Sequence, residues 1–172
     1  MKARPPLSLK GRALAALAQR EQSRLELRRK LLRPSGGRRA AGLSDGSRGQ
    51  NEAEGDPAVS EAAVDAVLDA LEAAGLLSAE RFVESRVHAR APRFGARRIA
   101  AELAQHGLAL PAEVAQALRG SELERAAAVH ARRFADPPTD AAERARQSRF
   151  LVARGFAPET VHRLMKGLAA GS

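Results

Sequence analysis

Five cations fall within twelve residues of this chain: Arg20, Arg24, Arg28, Arg29 and Lys30, in the segment Arg20-Glu21-Gln22-Ser23-Arg24-Leu25-Glu26-Leu27-Arg28-Arg29-Lys30-Leu31. Side chains of this type at this spacing make charge-assisted contacts with an acidic partner. The segment also carries its own helix start. Ser23 can accept a hydrogen bond from the free N–H groups of the first turn, and Glu26, three residues on, can return one, which is a capping box. Leu27 and Leu31 then share one face, while Arg24 and Arg28 stack on another. The expected result is a short helix that buries leucine and offers a ridge of guanidinium groups.

Residue sets that would do covalent or metal chemistry are missing. There is no Cys, hence no disulfide and no thiolate. His88, His106, His130 and His162 are scattered, with none at the i, i+4 spacing of a helical metal site. No Gly-rich loop follows a strand, and no G-x-S-x-G elbow occurs. Most carboxylates sit near Arg on helices or in first turns, where they serve caps and the helix dipole. Trp and Tyr are absent, and of five Phe, Phe82, Phe150 and Phe156 fall on expected core faces, so an aromatic platform for single strands is not expected. No enzyme activity, cofactor or metal is expected.

The elements that must position the cations are helices. Apolar residues make up 44% of the chain, but about half of them are Ala and only one is Ile. Ala favours helix, the strand formers are scarce, and nowhere does apolar and polar alternate over a strand length. The fold class is all-α, and the thin supply of large side chains favours several small helical packings over one thick core. No apolar run of membrane-spanning length exists, and Lys10 and Arg12 interrupt what a signal peptide would keep apolar. A soluble, reducing, cytoplasmic setting is expected.

Net charge is +9, unevenly spread: residues 1–50 hold 13 Lys and Arg against 3 Asp and Glu, whereas 51–172 hold 16 against 17. The first third of the chain therefore calls for an anionic partner, whether nucleic acid, acidic protein surface or headgroup. An Arg-for-Lys bias of 25 to 4 is also what a GC-rich genome writes, which accounts for the pI but not for the clustering.

Helix signals repeat in threes. The first unit, 1–77, has expected helices at about 8–20, 23–32 and 59–74, interrupted by a low-complexity stretch, 33–57, with six Gly, two Pro and three Ser. That stretch is expected to be a flexible insertion carrying Arg33, Arg38, Arg39 and Arg48. Val64, Val67, Leu68 and Leu71 mark the third helix, which Gly75 ends in a left-handed cap. The second unit, 78–120, starts with Ser78 as cap, carries Phe82, Val83 and Val87, then Ile99 and Leu103 before a stop at Gly107, then a helix opened by Pro111. The third, 121–172, starts with a capping box of Ser121 and Glu124, continues with a helix capped by Thr139 and stopped by Gly155, and closes with one opened by Pro158. Ser78 and Ser121 lie 43 residues apart; Ser8 and Ser78 lie 70 apart, or 45 once the insertion is removed. Three tandem three-helix repeats, nine helices in all, suggest an elongated curved array in which each unit mainly touches its neighbours.

In order along the chain, Arg20–Leu31, Leu76-Leu77-Ser78-Ala79-Glu80-Arg81-Phe82-Val83-Glu84-Ser85, Arg93-Phe94-Gly95-Ala96-Arg97-Arg98-Ile99-Ala100-Ala101-Glu102-Leu103 and Arg149-Phe150-Leu151-Val152-Ala153-Arg154-Gly155-Phe156 resemble the motifs of the RecX family, regulators of the bacterial RecA recombinase. The sequence departs from the family pattern at Gln22, usually His, at Ala79, commonly Asp, and at Ala96, often Pro; the insertion after Leu32 is also long. The resemblance implies a non-enzymatic negative modulator that lies in the groove of the RecA–DNA filament. It would inhibit ATP hydrolysis, strand exchange and coprotease activity, and so act in DNA repair and the SOS response. The implied contact residues are Arg20, Arg24, Arg28, Arg29, Lys30, Arg97, Arg98, Arg149 and Arg154, acting from a monomer with no membrane partner. A solvated helix face is the competing account of each charge run. The alternative function is a self-sufficient, sequence-nonspecific DNA-binding protein, single- or double-stranded DNA being its partner. The basic helices carry almost only Arg and lack the amides that read base edges, which favours contact with a backbone or an acidic surface.

Overall fold

The computed structural model describes residues 7–33 and 60–170, and among them every regular element is a helix. These are α1 (Leu9–Leu17), α2 (Arg24–Leu32), α3 (Glu61–Ala73), α4 (Ala79–Arg90), α5 (Ala96–Gln105), α6 (Ala112–Gly120), α7 (Glu122–Arg133), α8 (Ala141–Ala153) and α9 (Pro158–Ala170). The insertion, with Arg38, Arg39 and Arg48, lies outside the described residues apart from Arg33 at its edge. The chain divides into two compact units, Met1–Ser78 and Ala79–Ser172.

In the first unit, α1, α2 and α3 enclose a core of Ala13, Ala16, Leu27, Leu31, Val64, Leu68, Leu71 and Leu77. Each helix begins on a serine whose hydroxyl accepts a backbone N–H three residues on: Ser8 from Gly11, Ser23 from Glu26 and Ser60 from Ala63, all at 3.1 Å. In α1, Leu14 is exposed while Ala13 and Ala16 are buried; the small side chains allow the helices to pack closely. The first helix, expected to reach about residue 20, stops at Leu17, because the chain must turn at Ala18–Arg20 into α2. The buried amide of Gln22 seals that turn, its Nε2 donating to the carbonyl of Ala16 at 2.7 Å. At the far end of α2, the Arg12 guanidinium donates to the carbonyls of Leu31 and Arg33 at 3.2 and 3.0 Å, a cation where the helix leaves carbonyls free.

In the second unit, α4–α6 close on Phe82, Val83, Ile99, Leu103 and Leu118, and α7–α9 on Ala126, Val129, Leu151, Phe156, Val161, Leu164 and Met165. Three helices end alike. Gly75, Gly107 and Gly155 take φ of 67°, 72° and 84°, and the residue after each donates to the carbonyl four residues before the glycine (Leu71, Leu103, Leu151), a reversal that a Cβ would strain.

The junction between the α4–α6 and α7–α9 triads is polar and tight. Gly95 N–H donates to the Arg154 carbonyl at 3.0 Å, and Arg97 N–H to the Gly155 carbonyl at 3.3 Å. The buried carboxylate of Glu122 accepts from Ala96 N–H at 3.3 Å, Ala157 N–H at 3.4 Å and the Thr160 hydroxyl at 2.9 Å. One side chain thus caps the starts of both α5 and α9, where free N–H groups favour an anion. Beside it, the Arg125 guanidinium donates to the carbonyls of Ala91, Phe94 and Leu118 at 3.0, 2.8 and 2.7 Å. Burial lowers the Arg125 pKa from its ordinary value, opposed by the charge of Glu122.

This junction corrects the expected Ser121–Glu124 capping box. α6 and α7 are separated by Ser121 alone, whose side chain makes no cap bond and donates back to the carbonyls of Ala117 and Leu118. Likewise Asp140, not Thr139, caps α8, its carboxylate accepting from Glu143 N–H at 2.7 Å, while the Glu143 carboxylate accepts from the backbone and hydroxyl of Thr139.

Candidate partner-binding site

The acidic partner of Arg24 and Arg28 turns out to be α3 of the same unit. Glu61, Asp65, Asp69 and Glu72, spaced four, four and three residues apart, form one stripe along that helix. Arg24 donates to Asp69 at 2.7 Å and Glu72 at 2.6 Å; Arg28 donates to Asp65 at 2.7 Å and Glu61 at 2.6 Å. The pairing runs α2 and α3 antiparallel and lays an ionic ladder over the leucine core. The hydrogen bond to Asp65 raises the Arg28 pKa above its ordinary value, and that to Asp69 does so for Arg24. In return the Arg28 guanidinium holds Asp65 below its ordinary value. Arg20, in the turn before α2, forms a forked pair with the Glu26 carboxylate, which raises its pKa for the same reason.

The expectation of a ridge of free guanidinium groups is therefore corrected for Arg20, Arg24 and Arg28, which are engaged within the unit. Arg29 and Lys30, on the adjoining face of α2, are exposed and carry no carboxylate partner among the described residues. They are the cations that the capping-box helix leaves to solvent.

In the second unit, Arg97 is exposed in the first turn of α5, its backbone N–H tied to Gly155 while its side chain extends outward. Arg98 follows with its guanidinium 4.9 Å from the Phe94 ring centroid, donating to the Ala153 carbonyl at 3.4 Å. Arg149 is exposed on α8 and unpaired among the described residues. Arg154, just past α8, lies 4.4 Å from the Phe150 centroid and 5.9 Å from that of Phe94. Phe150 packs against the α7–α9 core as expected but is only half-buried, unlike Phe82 and Phe156: its ring faces arginine on one side and meets Phe134 edge-on, centroids 5.2 Å apart.

Sequence reasoning missed Arg93, Arg132 and Arg133, which join Phe94, Val129, Phe150 and Arg154 around a hollow of about 300 Å³. It also missed Glu122. The signal for the ladder was present in the four acidic residues of α3 at helical spacing. The signal for the hollow was not, since it draws on three separate segments.

Among the described residues, no group of three or more His, Asp or Glu is placed to hold a metal ion, and no helix is long and apolar enough to cross a membrane. Fold and surface together define a class: an all-α protein of tandem three-helix repeats whose exposed chemistry is dominated by arginine. Residues 121–165 match the family described as RecX, third three-helix domain. Proteins named Regulatory protein RecX align along nearly the whole chain. That of Leptothrix cholodnii is 46% identical over 95% of this chain and 90% of its own length. That of Ralstonia nicotianae is 46% identical over 97% and 92%, and that of Pseudomonas putida 38% over 94% and 92%. The chain belongs to the RecX family of regulatory proteins.

Proposed function

We propose that the protein is a non-enzymatic negative modulator of the RecA recombinase. It binds in the groove of the RecA–DNA filament and lowers ATP hydrolysis, strand exchange and coprotease activity, acting as a cytoplasmic monomer in DNA repair and the SOS response. The observation that carries this reading is the alignment over nearly the full chain with proteins named Regulatory protein RecX. The working units are the three-helix repeats at 1–77, 78–120 and 121–172. The ion pairs described above divide the cations by role. Arg29, Lys30, Arg97 and Arg149 reach outward and meet the filament; Arg20, Arg24 and Arg28 hold the first unit in the shape that presents Arg29 and Lys30.

The test is inhibition of RecA's DNA-dependent ATP hydrolysis. Arg29→Ala with Lys30→Ala weakens inhibition while the urea midpoint stays unchanged. Arg24→Ala with Arg28→Ala lowers the midpoint first, and its loss of inhibition follows the loss of folded protein. Full inhibition by a folded Arg29, Lys30, Arg97 and Arg149 quadruple Ala variant would overturn the assignment. Binding to bare DNA and to RecA filaments at matched salt separates filament recognition from self-sufficient DNA binding: equal affinities with a steep salt slope would favour the latter.

A further inference from the structure

The geometry points to a phosphodiester-binding pocket within the second unit, built by Arg93, Arg132, Arg133 and Arg154, that takes one strand of nucleic acid. It rests on the reading above only in the choice of DNA as the polyanion, and it needs no RecA to be tested.

The hollow of about 300 Å³ is walled by these four arginines, two half-buried phenyl rings and Val129, and no carboxylate lines it. Arg93, Arg132 and Arg133 are exposed, and none of the four is paired with a carboxylate among the described residues. Glu102, on the adjoining α5, is held by Arg90 at 2.9 Å. Four converging like charges repel one another, so this arrangement disfavours the empty pocket and favours an anion in it. Helix dipoles explain a cation at the end of α7 or α8, but not four guanidinium groups around one hollow.

The rings decide which anion feature is read. Arg154 covers Phe150 at 4.4 Å, and Arg98 covers Phe94 at 4.9 Å. Guanidinium groups already occupy these faces, which leaves little room for a nucleobase to stack. A guanidinium laid on a ring is pre-oriented, however, and its N–H edge stays available for an oxyanion. The Nε of Arg154 is buried without a hydrogen-bond partner, a donor still unsatisfied at the pocket wall. The first unit shows how carboxylates are met in this protein, with one arginine spanning two of them in the α2–α3 ladder. The pocket has the inverse ratio, several guanidinium groups to one space, which suits the repeated charges and multiple acceptor oxygens of a phosphodiester chain.

The experiment measures binding of the full-length protein to a fluorescein-labelled single-stranded DNA oligomer by anisotropy across a salt series, without RecA. Each phosphate contact on a single strand contributes about 0.7 to the slope of log K against log salt. Arg93→Gln with Arg133→Gln should flatten the slope by about 1.4 and weaken binding about 25-fold near 0.1 M salt, the same contribution carried over one decade below 1 M. Both side chains are exposed, so the urea midpoint should not fall. The Lys pair at the same positions should restore most of the slope but not all of the affinity, having charge without the fork. An unchanged slope and affinity in the folded Gln variant would overturn the proposal. So would a polyglutamate peptide that binds the wild-type protein as tightly as the oligomer at matched salt, since the pocket would then read carboxylates.

Discussion

Adding one methyl group at Gly95 tests a close approach of two backbone segments. A Cβ there would lie 2.1 Å from the Gly155 carbonyl oxygen and 2.3 Å from Phe156 N, both backbone atoms that cannot rotate away. Relief requires the two segments to separate by roughly an ångström to reach ordinary contact. That movement breaks the Gly95–Arg154 and Arg97–Gly155 hydrogen bonds and tilts α5 away from the Glu122 carboxylate. Two backbone bonds at about 1 kcal/mol each, with overpacking of about 1–3 kcal/mol, give a loss of roughly 3–5 kcal/mol. With a urea m-value of about 2 kcal/mol/M, the midpoint of the second unit should fall by about 2 M. Two other glycines calibrate the result. Gly107 has φ of 72° but nothing within 4 Å of an added Cβ, so Gly107→Ala should cost only the left-handed penalty of about 1–2 kcal/mol. Gly120 closes α6 with open space around it, so Gly120→Ala should be neutral or gain up to about 1 kcal/mol. Circular dichroism under urea reads all three. If Gly95→Ala cost no more than Gly107→Ala, the close crossing of these two backbones would be refuted.

Other outcomes follow from the polar junction and the ladder. Glu122→Ala leaves two backbone N–H groups and the Thr160 hydroxyl without their acceptor and should cost roughly 3–5 kcal/mol. Glu122→Gln, keeping one acceptor oxygen, should cost less, and the urea midpoints of the two variants check the order. The Arg28 guanidinium depresses the Asp65 pKa, so the stabilisation from this pair is present above the ordinary value of 3.8 and is lost as pH falls through the lower folded value. Urea midpoints measured in the acid range should therefore fall less steeply for Asp65→Asn than for the wild type, and at high salt the two profiles should converge.

Much of the fold was legible because its determinants are local. Ser23 as a cap, the three glycine stops and the 3–4 spacing of Val64, Leu68 and Leu71 each act within a few residues of their own position. Reading failed where a partner came from elsewhere. Arg24 and Arg28 had the spacing of a free ridge, yet α3 supplies their carboxylates. Ser121 and Glu124 had the spacing of a cap, but α6 runs almost directly into α7, and the neighbouring Glu122 is buried instead against two other helices.

The sequence alone determined that the elements are helices, that Ser23 starts one and three glycines stop others, and that arginine would dominate the surface, since capping, glycine conformation and charge density are properties of short segments. Only the tertiary structure decided which arginines are free. A guanidinium is available or engaged according to the carboxylates within a few ångströms of it, and for Arg24 and Arg28 those lie 33 to 48 residues away along the chain, on a helix the cations do not share.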